Sequence, residues 1–243
     1  MKTTKAVKKM TNKIIFGGLM KTTLLDFPGK VAATLFLPGC NMRCPFCHNA
    51  SLVHGTCEAI PYDEVLTFLK KRAKVLDGVC ITGGEPTLYG EMLIGLISEI
   101  KALGYLVKLD TNGTHPELVK RLMDLSLIDY VAMDIKTRIT DTDYQNICRR
   151  PIDTEKILES VALLKEGRIA YEFRTTLVKQ FHGENEICDI AKAISGADAY
   201  YLQHFVDSGE LIDGDGLCEI PKAEAQRLAA IASKYVPTYV RGH

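Results

Sequence analysis

Three cysteines lie close together in the run Gly39-Cys40-Asn41-Met42-Arg43-Cys44-Pro45-Phe46-Cys47-His48-Asn49, spaced C-x3-C-x2-C. Thiolates are soft ligands, suited to zinc or to iron and sulfur. A structural zinc asks for a fourth ligand, and His48, His54 and Cys57 are nearby. Zinc ribbons and fingers, however, bring two separated ligand pairs, whereas this is a single loop. A cube of four irons fits three protein thiolates better, because it leaves one iron open to a ligand that is not cysteine. An open iron is a place for chemistry.

Other segments carry chemistry too. In Thr82-Gly83-Gly84-Glu85-Pro86, two glycines let backbone come close to a ligand and an anionic side chain suits an ammonium; alone, the segment is equally a tight turn with Glu at a helix start. Asp110-Thr111-Asn112-Gly113 closes the strand-like run YLVKLD. Lys136, in Asp134-Ile135-Lys136, and Arg174, in Phe173-Arg174-Thr175-Thr176, put charge into apolar runs, where an unpaired charge is costly. They are therefore paired, with Asp110 and Asp134 as candidates, or functional. His204, alone at a strand end, reads first as a satisfied polar residue. Cys80 and Cys188 sit where a thiol acts as a small apolar group. Cys57, Cys148 and Cys218 fall at loops or element ends with no partner at metal spacing. A single cluster is expected.

The elements that must position these residues alternate. Val31–Leu37 (VAATLFL), Gly78–Thr82, Tyr105–Asp110, Tyr130–Ile135, Ala170–Val178 and Ala199–Gln203 read as six strands. Helical spacing occupies Tyr62–Val75, Leu88–Leu103, Pro116–Leu125, Thr154–Glu166, Glu184–Ser195 and Ala223–Lys234. Strands joined by helices imply a parallel sheet. Polar or glycine-rich motifs follow nearly every strand, as in a β/α barrel that builds its site on the C-terminal face. A dinucleotide fold would instead place G-x-G-x-x-G after the first strand, and none occurs there. Ahead of this, Ile14–Phe16 and Lys21–Leu24 flank Gly17-Gly18 as a possible small hairpin.

Composition bounds the rest. A chain of 243 residues favours one large domain or a domain with an appendage. With 47% hydrophobic and 25% charged residues it can fill a core. Lys and Arg number 30, as do Asp and Glu, so no overall field draws it to nucleic acid or an anionic membrane. The basic stretch Met1–Lys13 is followed by an apolar run too short for a signal peptide, and no segment is long enough to span a membrane. A cytoplasmic protein is expected, and there clustered cysteines more often bind metal or react than form disulfides.

With Phe46 just before its third cysteine, the C-x3-C-x2-C run resembles the signature of the radical S-adenosylmethionine (SAM) superfamily. The resemblance runs strand by strand from Gly18 to Phe205. It implies a partial (β/α)6 barrel with a short N-terminal β lead-in, divided into a tail and lead-in over 1–17 and a core domain with a C-terminal helix over 18–243. It implies one [4Fe-4S] cluster on Cys40, Cys44 and Cys47, with SAM on the open iron and no catalytic residue beyond the cluster. Gly83, Gly84 and Glu85 would take the SAM amino group. Asp110, Thr111 and Asn112 would reach its ribose and methionine parts, and Lys136 or Arg174 its carboxylate or the substrate. His204 would approach the ribose, and Asp110 with Asp134 could hold a monovalent cation. Of the adenine-contacting G-x-I-x-G-x-x-E pattern only Gly183-Glu184-Asn185-Glu186 is visible, so that contact has no assigned residues.

Within the superfamily the chain resembles glycyl-radical-enzyme activases, and among them the activating proteins of anaerobic ribonucleoside-triphosphate reductase. Gly18-Leu19, Thr23-Leu24-Leu25-Asp26-Phe27-Pro28-Gly29-Lys30, Leu37-Pro38-Gly39-Cys40-Asn41 and Cys47-His48-Asn49 carry this. The implied partners are a glycyl radical enzyme, as protein substrate, and a low-potential electron donor such as flavodoxin or ferredoxin. Nucleic acid and membrane are not expected. The alternatives are an activase of pyruvate formate-lyase or another glycyl radical enzyme, a radical SAM enzyme acting on a small molecule, and a metal-binding protein without turnover. The last leaves Gly83–Pro86 and Asp110–Gly113 without a job.

Overall fold

The computed structural model describes residues 14–207 and 209–242; the basic tail expected over 1–13 lies outside them. The chain folds as two compact units. Of the described residues, the first takes those up to Cys40, Ser51–Thr111 and Glu117–Val131; the second takes Asn41–Ala50, Asn112–Pro116 and those from Ala132 onward.

In the first unit the strands are β1 (Ile15–Phe16), β2 (Gly18–Thr23), β3 (Ala32–Leu37), β4 (Ile60–Pro61), β5 (Gly78–Gly83) and β6 (Leu106–Thr111). β3, β5 and β6 run parallel and β2 pairs antiparallel with β3, in the order β2-β3-β5-β6. Helices α1 (Ala50–His54), α2 (Tyr62–Arg72), α3 (Glu91–Ala102) and α4 (Pro116–Asp124) accompany them. Side chains alternate between the two faces of a strand. Leu35, Ile81 and Leu109 therefore form one fully buried apolar row, while Thr34, Cys80 and Lys108 form a row on the opposite face.

The expected hairpin over residues 14–24 does not form: β1 pairs antiparallel with β4. Gly17 is a point of close packing rather than a turn. A Cβ there would stand 2.2 Å from Leu52 Cδ2, and the Gly17 N–H donates to Phe36 O at 2.8 Å. The helix expected from Leu88 is delayed to Glu91, because Pro86–Tyr89 forms a 3-10 turn and Gly90, at φ 52°, breaks the path.

The second unit holds β7 (Tyr130–Asp134, from Ala132), β8 (Ala170–Leu177), β9 (Tyr200–His204) and β10 (Thr238–Arg241), in the order β7-β8-β9-β10, with β8, β9 and β10 parallel. Its helices are α5 (Asp141–Cys148), α6 (Thr154–Lys165), α7 (Glu184–Ala193) and α8 (Lys222–Ala232). Phe173 and Tyr200 sit side by side and buried on one face; Arg174, Tyr201 and Tyr239 are in register on the other. The α/β class with mostly parallel strands is as expected. β10 is a strand beyond the expected six, its four residues too few for periodicity to single out. Among the described residues no helix is long and apolar enough to cross a membrane.

Candidate active site

In the first unit, β3 runs into Pro38-Gly39-Cys40 and β5 into Gly83-Gly84-Glu85. The two loops lie side by side: Gly84 N–H donates to Leu37 O at 2.8 Å and Glu85 N–H to Gly39 O at 2.8 Å. The glycines make this approach possible. A Cβ on Gly83, whose φ is 118°, would lie 2.4 Å from Leu37 O, and one on Gly84 would lie 1.9 Å from Gly39 O. Glu85 is 1% exposed, and its Oε1 accepts from Thr87 N–H at 3.0 Å, Thr87 Oγ1 at 2.5 Å and Thr111 Oγ1 at 2.8 Å. Tyr89 donates its hydroxyl to Pro38 O at 2.9 Å. The loop before Cys40, the Gly-Gly-Glu turn and the end of β6 are thus one hydrogen-bonded assembly. Asp110 is paired with Lys108, a 2%-exposed lysine whose Nζ also lies 3.8 Å from Cys80 Sγ.

In the second unit, Asn41 accepts at Oδ1 from Asn112 Nδ2 at 2.8 Å and donates from Nδ2 to Thr114 Oγ1 at 2.9 Å. Asn112 Oδ1 in turn accepts from Thr114 N–H at 3.1 Å, which binds the start of the cysteine loop to the loop after β6. Cys44 is buried with its Sγ 3.8 Å from that of Cys148, and Cys47 N–H donates to Cys44 O at 3.1 Å. The Cys148 hydrogen bond, aided by Lys136, holds the Cys44 thiol below its ordinary pKa against burial; burial pushes Cys47 up.

Lys136 and Arg174 both close on Asp134, at 3.1 Å and 2.9 Å, one to each carboxylate oxygen. Burial alone would raise the Asp134 carboxyl, but Arg174 and then Lys136 hold it down to about 2. The pairing of Lys136 and Arg174 with an aspartate, one of the two readings open from sequence, is therefore present. His204, at the end of β9, has its Nε2 3.2 Å from Glu219 Oε2.

Lys108, Cys148, Asn41 and His182 were not singled out from sequence as site residues. Lys108 had a signal, a charge within an apolar strand, which is the argument that singled out Arg174. Cys148 had none, being 104 residues from Cys44. His182 is 2% exposed: its Nδ1 accepts from Val178 N–H at 3.0 Å, so its Nε2 carries the proton donated to Lys136 O at 2.8 Å. Burial holds it neutral and its pKa below the ordinary value. The unfolded chain binds the proton that the folded one refuses. This group's stabilising contribution is therefore complete above the unfolded pKa, about 6.5, and falls below it by up to about 1.4 kcal/mol per pH unit until the folded pKa is reached. Urea unfolding at pH 7.5 and 5.5 should show this slope, and His182→Gln should flatten it; equal slopes would refute the assignment.

None of the eight cysteines is in a disulfide. Among the described residues no three His, Cys, Asp or Glu side chains stand together as ligands of a single ion. A polynuclear iron-sulfur cluster binds each thiolate to its own iron, so its ligands need not converge on one point. An all-thiol loop fits such a group.

Residues 34–194 match the family model described as the radical SAM superfamily. A protein of Methanocaldococcus jannaschii, named as a candidate glycyl-radical enzyme activating enzyme, is 35% identical over 94% of this chain and 95% of its own. The pyruvate formate-lyase 1-activating enzyme of Escherichia coli is 27% identical over 67% of each chain. Among solved structures, Streptococcus suis SuiB bound to S-adenosylmethionine superposes with TM-score 0.65 at 15% identity, over 86% of this chain and 52% of that one. This chain thus spans about half the length of SuiB, and at that identity the likeness shows the fold alone.

Proposed function

The chain belongs to the radical SAM superfamily, whose members use SAM and an iron-sulfur cluster, and from that premise we propose that it activates a glycyl radical enzyme, specifically an anaerobic ribonucleoside-triphosphate reductase. The observation that carries the activase reading is the near full-length likeness to the M. jannaschii relative. The choice of reductase is supported by the segments Thr23–Lys30 and Leu37–Asn41. Likeness to the E. coli enzyme favours pyruvate formate-lyase as the second reading.

In this proposal Cys40, Cys44 and Cys47 hold a [4Fe-4S] cluster. Backbone at Gly83 and Gly84 and the Glu85 carboxylate accept from the SAM ammonium, and Thr111 keeps Glu85 oriented for that task. Asp110 and Asn112 serve the ribose and methionine parts. Lys136 and Arg174 attract the SAM carboxylate while sharing Asp134, and His204 is assigned to the ribose. The monovalent cation is not carried forward, because each oxygen of Asp134 already accepts from a cationic side chain. When bound and reduced, the cluster with SAM supplies a 5′-deoxyadenosyl radical able to take a hydrogen atom from a backbone glycine. The residues of the chain bind, orient and keep charge balanced; no side chain has to transfer a proton. The electron comes from a low-potential donor such as flavodoxin or ferredoxin.

The test incubates the reconstituted, reduced protein and SAM with an anaerobic ribonucleotide reductase and, separately, with pyruvate formate-lyase, and records electron paramagnetic resonance. A glycyl doublet on the reductase alone is expected. A doublet on the lyase alone transfers the assignment, and 5′-deoxyadenosine without either doublet overturns both.

A further inference from the structure

Cys148 has no part in the reading above, yet it lies directly beside Cys44. The two sulfurs are 3.8 Å apart, and both side chains are buried. The contact is fixed by backbone as well: Arg43 N–H donates to Cys148 O at 2.8 Å, so the residue before Cys44 is tied to Cys148 itself. Cys148 ends α5, a helix anchored at its start by Thr140, whose Oγ1 accepts from Asp143 N–H at 3.2 Å. In its middle, Tyr144 accepts from Lys136 N–H at 3.2 Å. The thiols of Cys188 and Cys218, by contrast, face the Tyr235 hydroxyl and Gly216 O.

We propose that Cys148 is the resolving thiol of Cys44. When Cys44 is not bound to iron, hydrogen peroxide oxidises it and Cys148 closes a Cys44–Cys148 disulfide, a reversible resting form of the site. In the first step the peroxide O–O bond breaks, a sulfur–oxygen bond forms on Cys44 and one water leaves. In the second, the Cys148 sulfur attacks that of Cys44, the sulfur–oxygen bond breaks and a second water leaves. Two thiols thus give up two electrons and two protons, and one hydrogen peroxide becomes two waters. Bonded sulfurs stand about 2.05 Å apart, so the pair must close by about 1.8 Å. The benefit follows from the chemistry of sulfur oxidation: an unresolved sulfenic acid proceeds to sulfinic acid, which thiols do not reduce, whereas a disulfide is reduced back to two thiols. The importance of the pair rests on Cys44 being a cluster ligand, as proposed above; the disulfide itself does not.

The full chain is prepared anaerobically in cluster-loaded and iron-stripped forms. Each is exposed to stoichiometric hydrogen peroxide, blocked with iodoacetamide, digested and mapped by mass spectrometry with fragmentation. In the stripped chain the main product should link Cys44 to Cys148, and dithiothreitol should restore iron binding. In Cys148→Ala, sulfinic acid at Cys44 should rise several-fold and recovery of iron binding should fall in step. Cys44 linked mainly to Cys40 or Cys47, or equally over-oxidised with and without Cys148, overturns the proposal. If the variant fails to fold, the wild-type map decides. If loaded and stripped chains cross-link equally fast, the ligand assignment of Cys44 fails while the resolving pair stands.

Discussion

Cys44→Ala will leave a folded protein that retains no cluster and forms no 5′-deoxyadenosine. Disturbing a residue that only supports a metal ligand typically costs about 10- to 100-fold; removing one of three thiolates from a cluster should cost more, taking activity to background. Folding is not at stake. Alanine removes one buried sulfur and leaves a small void beside Cys148, a loss of roughly 1–2 kcal/mol by comparison with modest core truncations. Circular dichroism and thermal unfolding of the apo chain should therefore stay close to wild type while iron content and the cluster's visible absorbance vanish. Cys57→Ala and Cys188→Ala, outside the C-x3-C-x2-C run in sequence, should keep both. Wild-type iron content in Cys44→Ala would refute the ligand assignment.

Gly84→Ala should be nearly as damaging, for a different reason. The new methyl would stand 1.9 Å from Gly39 O and 2.6 Å from Gly39 C, with Cys40 N at 3.3 Å. These are backbone atoms of a paired loop and cannot rotate away as a flexible side chain could. Relief requires Gly39 to move, which breaks the 2.8 Å bond from Glu85 N–H and displaces the residue before Cys40. A stability loss of about 1–3 kcal/mol is expected from the overpacking, with activity reduced more than the melting temperature implies, because the shift falls on both Cys40 and Glu85. Gly90→Ala is the control. It too is strained, at φ 52°, but nothing lies within 4 Å of its added Cβ. Roughly 1–2 kcal/mol of backbone strain should appear there with little change in turnover. Equal turnover in the two variants would show that the Gly84 contact does not matter to the site.

Much of this was legible in the sequence, for identifiable reasons. β3, β5, β6, β7, β8 and β9 are runs with β-branched or aromatic residues ended by glycine or polar clusters, and each was placed within a residue or two. Helix α5 was missed although Tyr144, Ile147 and Cys148 follow helical spacing and Thr140 caps it, because its polar composition hid a short apolar stripe. β10 had too few residues to show a period. In the site, spacing along the chain exposed the cysteine loop and the Gly-Gly-Glu turn, since their chemistry is local in sequence. What brings distant segments together was not local: Asn41 to Asn112 and Thr114, Cys44 to Cys148, His182 to Lys136. Gly84 reads from sequence as room for a ligand; in the fold its bare Cα also admits the backbone of Gly39.

The division of the chain into units bears on how the protein is made. Everything the first unit comprises has been synthesised once Val131 has left the ribosome, and domains tend to fold from the N-terminus as they emerge. The loop with Cys44 and Cys47 belongs instead with residues from Ala132 onward. Until Asp134, Lys136 and Cys148 have emerged in turn, a nascent chain therefore carries these thiols without them. Iron-sulfur delivery is expected to follow their emergence, and pausing the ribosome before residue 132 should leave the loop open to alkylation.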